Sequence, residues 1–165
     1  MALSPWQPLN GQRVLRIPRV DRRTHDRRDC KKLRVCTVDI GTMRGRSHEI
    51  ALMLERRKAD ICCVQEVRYK SNSTTTIGAG GNKYKFWYSS SNSGANGVGI
   101  LLSHELVENV IEVDRFRDRM MRIKMVLGKV VYHIFSVYAP QVGRPAEEKE
   151  DFRETLEGTI SSISD

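Results

Sequence analysis

The chain has 165 residues, of which 39% are hydrophobic, so it can form one folded domain with a modest core. Its formal net charge of +8 favours an anionic partner such as nucleic acid. No stretch is long and apolar enough to predict a membrane-spanning helix, so we expect no membrane contact.

The first 32 residues differ in composition from the rest of the chain. They hold nine of the 28 Lys and Arg residues, three of the 20 acids and three of the five prolines, and they lack a hydrophobic period. This composition predicts a basic disordered leader over 1–32 and a folded domain over 33–165. Because the leader has no apolar signal-peptide region and contains an Arg-rich run, we expect a nuclear or cytoplasmic protein.

The folded domain begins with two predicted strands separated by a helix. Residues 33–40 are strand-like and end at a glycine, and residues 60–66 form an apolar run closed by polar residues. Between them, Ile50, Met53 and Leu54 have the spacing of a short amphipathic helix. A strand, a helix and a strand within about thirty-five residues predict a βαβ unit with two parallel neighbouring strands.

This unit places two acids at one edge of the predicted sheet. Asp39 lies at the carboxyl end of the first strand, and Glu66 lies at the carboxyl end of the second. Ligand sites in open α/β sheets tend to lie at that edge, so we expect Asp39 and Glu66 to border a site.

The remaining elements are mostly predicted strands. A polar loop is expected over 67–82, and the alternation of aromatic residues over 84–88 predicts a strand. Further strands are expected at 98–102, 107–113, 120–127 and 130–139, with a two-residue turn at 128–129. A final amphipathic helix is predicted to start near Pro145.

The four cysteines lack the paired C-x-x-C spacing that is typical of a zinc site. They are Cys30, Cys36, Cys62 and Cys63. Cys62 and Cys63 are adjacent within an apolar run, so we expect them to be small buried hydrophobic residues in a reducing compartment.

Four short motifs follow one another along the predicted domain. They are 33–42 (LRVCTVDIGT), 63–66 (CVQE), 96–102 (NGVGILL) and 136–141 (SVYAPQ). In this order they resemble the opening motifs of the endonuclease/exonuclease/phosphatase superfamily, which has a DNase-I-like fold. The spacing is most similar to the endonuclease domains of non-LTR (LINE-type) retrotransposons and to the retrotransposon-derived host proteins of the craniofacial development protein 2 group. The resemblance covers about 33–163.

The resemblance implies an α/β (α+β) fold that forms the N-terminal half of a four-layer α/β/β/α sandwich, with a mixed sheet and flanking helices. It also implies hydrolysis of phosphate esters with Mg²⁺ and a nucleic-acid partner, DNA. Magnesium prefers oxygen ligands and keeps most of its waters, so one or two protein carboxylates are sufficient.

The resemblance also assigns roles to individual residues. Glu66 corresponds to the metal-binding glutamate of the family, and Asp39 stands where the family has an asparagine beside the metal. Tyr138 corresponds to the catalytic tyrosine that contacts the reacting phosphate. A tyrosine hydroxyl in that place can stabilise a phosphate oxygen by hydrogen bonding.

Three further residues are candidate substrate contacts by the same resemblance. Gln141 stands where the retrotransposon enzymes often have a DNA-contacting asparagine, and Arg68 and Asn96 are candidates for contacts with backbone phosphates.

The sequence departs from the family pattern in two places. Val38-Asp39 replaces a tryptophan-asparagine pair, and nothing after Gln141 matches the Gly-Asp-x-Asn motif or the Asp-His pair that supply the general base and the catalytic histidine. Two hypotheses follow. The chain is either a divalent-metal-dependent endonuclease domain, truncated and impaired or inactive alone, or a non-catalytic nucleic-acid- or protein-binding remnant of such a domain.

Overall fold

The computed structural model describes residues 6–9, 12–18, 30–79 and 81–163. The described strands are β1 (Trp6–Leu9), β2 (Gln12–Pro18), β3 (Cys30–Asp39), β4 (Ile61–Gln65), β5 (Ser73–Ala79), β6 (Asn82–Ser89), β7 (Val98–Ser103), β8 (Val110–Arg115), β9 (Met120–Leu127) and β10 (Val130–Val137). The helices are α1 (Ser47–Arg57), a short 3-10 helix (His104–Asn109) and α2 (Ala146–Ser161). Within this described part, no helix has the length and apolar character needed to cross a membrane.

The strands form two sheets. The larger sheet has the order β1-β2-β3-β4-β7-β6-β5, in which β3 and β4 are parallel and the other neighbours are antiparallel. The smaller sheet is antiparallel and has the order β10-β9-β8. A mixed sheet with flanking helices confirms the predicted α/β fold.

Two hydrophobic clusters lie on opposite faces of the larger sheet. One cluster joins the sheet to α1 and includes Ile50, Leu54 and Phe86. The other lies between the two sheets and includes Ile61 and Met125. Successive side chains of a strand point to opposite faces. Because both faces of the central strands are covered, consecutive residues of these strands are apolar. Burial of each large side chain in these clusters stabilises the fold by about 1.5–3 kcal/mol.

The predicted βαβ unit is confirmed. β3 and β4 pair in parallel with Asp39 opposite Gln65, so Asp39 and the residue after β4, Glu66, lie at the same edge. The predicted turn at 128–129 is also confirmed, because Leu127 and Val130 are paired across it and Gly128 has a positive φ of 65°.

Two predictions about local structure are wrong. The expected polar loop over 67–82 contains strand β5, which pairs with β6 in an antiparallel register. Its run of three threonines favours extended backbone, and these threonines are exposed on an edge strand of the sheet. The strand expected over 107–113 begins instead as the 3-10 helix, in which Leu106 is buried, and only then becomes β8.

The predicted leader also contains regular structure. β1 and β2 pair with each other, and β2 continues the sheet onto β3, which begins at Cys30. The other residues of 1–29 lie outside the described residues. The boundary between leader and domain at residue 33 stays a prediction.

Candidate functional site

The candidate site begins where β4 ends. Glu66 and Arg68 have left-handed backbone conformations, with φ of 58° and 55°, and so does Asn96, with φ of 55°. Such conformations cost about 1–3 kcal/mol each in residues other than glycine, and they cluster at functional sites. The backbone N–H of Arg68 donates to the carbonyl of Asn96 at 2.9 Å, which links the two segments.

The Glu66 carboxylate contacts a residue that follows the smaller sheet. Its Oε1 accepts a hydrogen bond from the Tyr138 hydroxyl, which comes from the end of β10 in the smaller sheet. Its Oε2 pairs with the Arg68 guanidinium, and the Glu66 side chain is only 12% exposed. The Tyr138 hydrogen bond lowers the pKa of Glu66, with help from the hydrogen bond and charge of Arg68 and against the effect of burial. Glu66 is therefore ionised at neutral pH.

Tyr138 is held from several sides. Its backbone N–H donates to the carbonyl of Arg119 at 2.9 Å, and the Arg119 guanidinium lies 5.2 Å from the centre of its ring. Gln141 Nε2 donates to the Tyr138 hydroxyl at 3.2 Å. The hydrogen bond to Glu66 raises the pKa of Tyr138, so the phenol remains a neutral donor at neutral pH.

The sequence did not identify three charged residues on the other side of the site. Arg119 is 13% exposed and pairs with Glu148 at 2.9 Å, and Arg144 pairs with the other carboxylate oxygen of Glu148 at 2.8 Å. Arg119 immediately precedes β9 and Glu148 lies in the first turn of α2. Arg144 and Glu148 have the local i,i+4 spacing, but no local pattern marks Arg119, because its pairing with Glu148 joins segments that are distant in sequence.

Two hydrogen bonds to Asp118 hold the loop that carries Asn96. Asn96 Nδ2 donates to Asp118 at 2.9 Å, and the Gly97 N–H donates to the carbonyl of the same aspartate at 3.0 Å. Gly97 has φ of 95°, and a Cβ there would stand 2.4 Å from Ser90 Oγ. Glycine is therefore required at this position for both conformation and space.

Together these residues line a cleft of about 480 Å³. Five of the six predicted site residues line it, namely Glu66, Arg68, Asn96, Tyr138 and Gln141. The other lining residues are Ser93, Gly94, Ala95, Arg119 and Arg144. The three arginines of the lining are opposed by Glu66 and by Glu148, which pairs with two of them, so the cleft keeps a small excess of positive charge that favours an anionic ligand.

Asp39, the sixth predicted residue, is not among the residues that line the cleft. It is exposed, and its Oδ1 accepts a hydrogen bond from the Gly41 N–H at 3.0 Å. Its negative charge nevertheless contributes to the raised pKa of Tyr138, so it lies within electrostatic range of that side chain.

The donor set at this edge suits a hard cation. Within the described residues there is no group of three or more His, Cys, Asp or Glu side chains arranged to hold a metal ion. Glu66 and Asp39 supply carboxylate oxygens at the ends of adjacent strands. Magnesium typically binds one or two carboxylates together with waters and substrate phosphates, so a magnesium site at this edge stays a prediction.

The fold is of the α/β class, because a helix covers one face of a mixed sheet and a second sheet covers the other face. The family follows from comparison of the sequence with family models. Residues 37–160 match the Endonuclease/Exonuclease/phosphatase family. The chain belongs to this family, and the matched residues include Glu66, Tyr138 and the rest of the cleft.

The chain was also compared with solved structures and with curated proteins. The chain is similar to the "Endonuclease domain of TRAS1, a telomere-specific non-LTR retrotransposon", with 16% sequence identity and a TM-score of 0.48 over 78% of this chain. The similarity covers 53% of that structure, so the chain spans about half of its length. Comparison with curated proteins gave no match.

Proposed function

We propose that the cleft binds the phosphates of a nucleic acid, DNA, and hydrolyses a phosphodiester bond with the help of Mg²⁺. The observation that supports this most directly is the contact between Glu66 and Tyr138 at the edge of an arginine-lined cleft. The contact joins an ionised carboxylate, which can hold a cation, to a neutral hydroxyl, which can donate to a phosphate oxygen.

Glu66 and Asp39 would hold the metal ion in this proposal. The ion would offset negative charge on the reacting phosphate and help to orient a water. Glu66 is prepared for this role because its lowered pKa keeps it ionised at neutral pH. Asp39 supplies an oxygen, but it brings a second negative charge where the family has a neutral amide.

Tyr138 would donate its hydroxyl proton to a non-bridging phosphate oxygen. On binding, the hydroxyl would turn its proton from Glu66 Oε1 to the phosphate, while the backbone bond to Arg119 and the Arg119 guanidinium against the ring keep the phenol in place. Gln141, which donates to the same hydroxyl, would keep the phenol oriented.

The cationic side chains would bind phosphates on either side of the reacting bond. Arg68 is half exposed at the Glu66 end of the cleft, whereas Arg119 and Arg144 are held at the other end by Glu148. Guanidinium groups bind phosphate through two parallel hydrogen bonds, which makes arginine well suited to this task. Asn96 would add a neutral contact.

A second candidate function is nucleic-acid binding without hydrolysis. It is favoured by the composition of the cleft, whose lining residues include one carboxylate and no histidine. The Gly-Asp-x-Asn and Asp-His motifs that supply the family's general base and histidine are not found in the 165 residues. We therefore expect any hydrolysis by this chain alone to be weak. Binding without hydrolysis is also the function that we would expect of a retrotransposon-derived host protein similar to the craniofacial development protein 2 group.

Plasmid nicking with and without Mg²⁺ tests the first proposal. Glu66→Ala and Tyr138→Phe should each reduce Mg²⁺-dependent nicking by about 10²–10³-fold, because each removes a group that stabilises the transition state. Glu157→Ala, which changes an exposed glutamate of α2, is the matched control and should nick like the wild type. Nicking that survives Glu66→Ala would exclude the role proposed for that residue.

Fluorescence anisotropy with labelled DNA and RNA separates the two candidates. If the wild type does not nick but binds DNA with an affinity that falls steeply as salt increases, the binding function is supported. Arg119→Gln and Arg144→Gln should weaken this binding and reduce its salt dependence.

A further inference from the structure

Two cysteines lie side by side in the centre of the larger sheet. Cys36 on β3 and Cys62 on β4 are directly paired in the parallel register. Both side chains belong to the cluster between the sheet and α1. The neighbouring Cys63 points to the opposite face, where its thiol contacts the carbonyl of Phe135 at 3.3 Å. Among the described residues, Cys36, Cys62 and Cys63 are free thiols.

The register of Cys36 and Cys62 is compatible with the Cα spacing of a disulfide. Neighbouring strands are about 4.7–4.9 Å apart. Disulfides join residues whose Cα atoms are about 4.4–6.8 Å apart. Both side chains lie on the same face of the sheet, because Cys62 is buried in the cluster beneath α1 and Cys36 packs against that cluster.

The two thiols differ in access and in electrostatic environment. Cys36 is half buried, and the positive charge of Arg57 in the last turn of α1 also lowers its pKa. Cys62 is 1% exposed, and its pKa is raised well above the usual range by the hydrogen bond to Cys36 and by burial. A partly exposed thiol in an electropositive place, beside a buried thiol, is the arrangement of a reactive cysteine and its resolving partner.

We propose that Cys36 is an oxidation site whose sulfenic acid is resolved by Cys62 to form a disulfide between β3 and β4. In the first step the Cys36 thiolate attacks a peroxide oxygen, the O–O bond breaks, and Cys36 sulfenic acid and hydroxide are formed. In the second step the Cys62 sulfur attacks the sulfenic sulfur, the S–O bond breaks, and the Cys62 proton leaves with the hydroxyl as water. The two thiols are thus oxidised by two electrons, and one hydroperoxide is reduced.

The disulfide would fix the two strands that carry the candidate metal ligands. Asp39 is three residues after Cys36, and Glu66 is four residues after Cys62. The proposal itself does not depend on nuclease activity, because it requires only the thiols and an oxidant.

Peptide mapping of the full chain tests the proposal. The background is Cys30→Ser, which removes the remaining thiol. The protein is treated with a small excess of hydrogen peroxide, denatured, alkylated with N-ethylmaleimide, digested and analysed by mass spectrometry. The expected result is a Cys36–Cys62 linked peptide that disappears after reduction, together with fully alkylated Cys63. A sample in which Cys36 is oxidised while Cys62 remains alkylated would overturn the proposal.

Three variants in the same background test the separate roles. Cys62→Ala should abolish the linked peptide and leave a Cys36 sulfenic acid that dimedone labels. Cys36→Ser should leave both Cys62 and Cys63 alkylated after peroxide treatment. Cys63→Ser is the matched control and should form the linked peptide to the same extent as its parent. A Cys62–Cys63 crosslink, or a linked peptide that requires Cys63, would contradict the assignment. The mapping of the parent chain remains decisive if a buried variant fails to fold.

Discussion

The two α-helices are attached to the domain in different ways. α1 buries Ile50, Ala51 and Leu54 against the larger sheet. α2 is longer and its sequence also has an amphipathic pattern, yet none of its residues is buried. Two ion pairs, Asp151–Arg117 and Glu148–Arg119, connect α2 to the rest of the domain, and Phe152 and Leu156 add only partial burial. Burial therefore fixes α1, whereas charge positions α2.

This difference divides the cleft into two halves. Glu66 and Arg68 belong to the half supported by the hydrophobic cluster beneath α1, because they follow the buried strand β4. Arg119 and Arg144 belong to the half whose geometry depends on α2. Arg119 and Glu148 are partly buried, but the pairs of Arg117 and Arg144 are more exposed, and exposed ion pairs contribute little stability and are screened by salt. The second half should therefore be the more adaptable one.

The largest effect is expected from a cavity beneath α1. Leu54 is 0% exposed, so Leu54→Ala should lower the free energy of unfolding by about 2–5 kcal/mol. Ile160 of α2 is 50% exposed, and Ile160→Ala should cost less than about 1 kcal/mol. Urea denaturation of both variants measures the difference. Similar losses would show that α2 is as firmly packed as α1.

The next largest effect should arise at Gly97, which connects the two halves of the cleft. Gly97→Ala introduces a side chain at φ of 95° and 2.4 Å from Ser90 Oγ, which should cost about 1–3 kcal/mol. Gly143 is exposed, has no atom within 4 Å of the position of a Cβ, and provides the matched control. If Gly143→Ala is as destabilising as Gly97→Ala in urea denaturation, the conformational argument is wrong.

A smaller and pH-dependent effect is expected at Glu66. Its pKa is lowered in the folded protein from the ordinary value of 4.5, first by the Tyr138 hydrogen bond and then by Arg68. Its contribution is therefore fully present above about pH 4.5 and is lost as the pH falls through the lower, folded-state pKa. Glu66→Gln should cost about 1–2 kcal/mol at pH 7. This cost should disappear under acidic conditions, as measured by urea denaturation across pH 2–7. A constant difference would indicate that the charge of Glu66 is not involved.

Local sequence patterns predicted most elements of the fold, including α2, which begins at Ala146 directly after Pro145. The strands β3 and β4 and the helix between them follow from short apolar periods, and the hairpin of β9 and β10 follows from the turn at 128–129. β5 was missed because its exposed threonines look like a loop, although they favour extended backbone.

The site was only partly predictable for a similar reason. Glu66 and Asp39 were placed at one edge by the geometry of parallel strands, and Tyr138 was assigned by resemblance. The position of Arg119 against the Tyr138 ring and the pairing of Arg119 with Glu148 join segments 19 and 29 residues apart. No periodicity within one segment encodes such contacts. The backbone after Glu66 is also held by another loop, because the N–H groups of Val67 and Arg68 donate to the carbonyls of Gly97 and Asn96.

The smallest effect on stability, and the most direct test of the charge-held half, is expected from Glu148→Gln. The change removes the carboxylate shared by Arg119 and Arg144, so the melting temperature should change little while α2 becomes easier to detach. Hydrogen exchange of peptides covering 146–161 should be faster than in the wild type, and the wild type should approach the variant as salt is increased. Glu147→Gln, at an exposed neighbour in the same turn, is the control and should exchange like the wild type.

Because Arg119 and Arg144 lose a competing anion, the Glu148→Gln variant should also bind DNA at least as tightly as the wild type. Weaker binding would mean that Glu148 positions the arginines for the phosphate rather than competing with it.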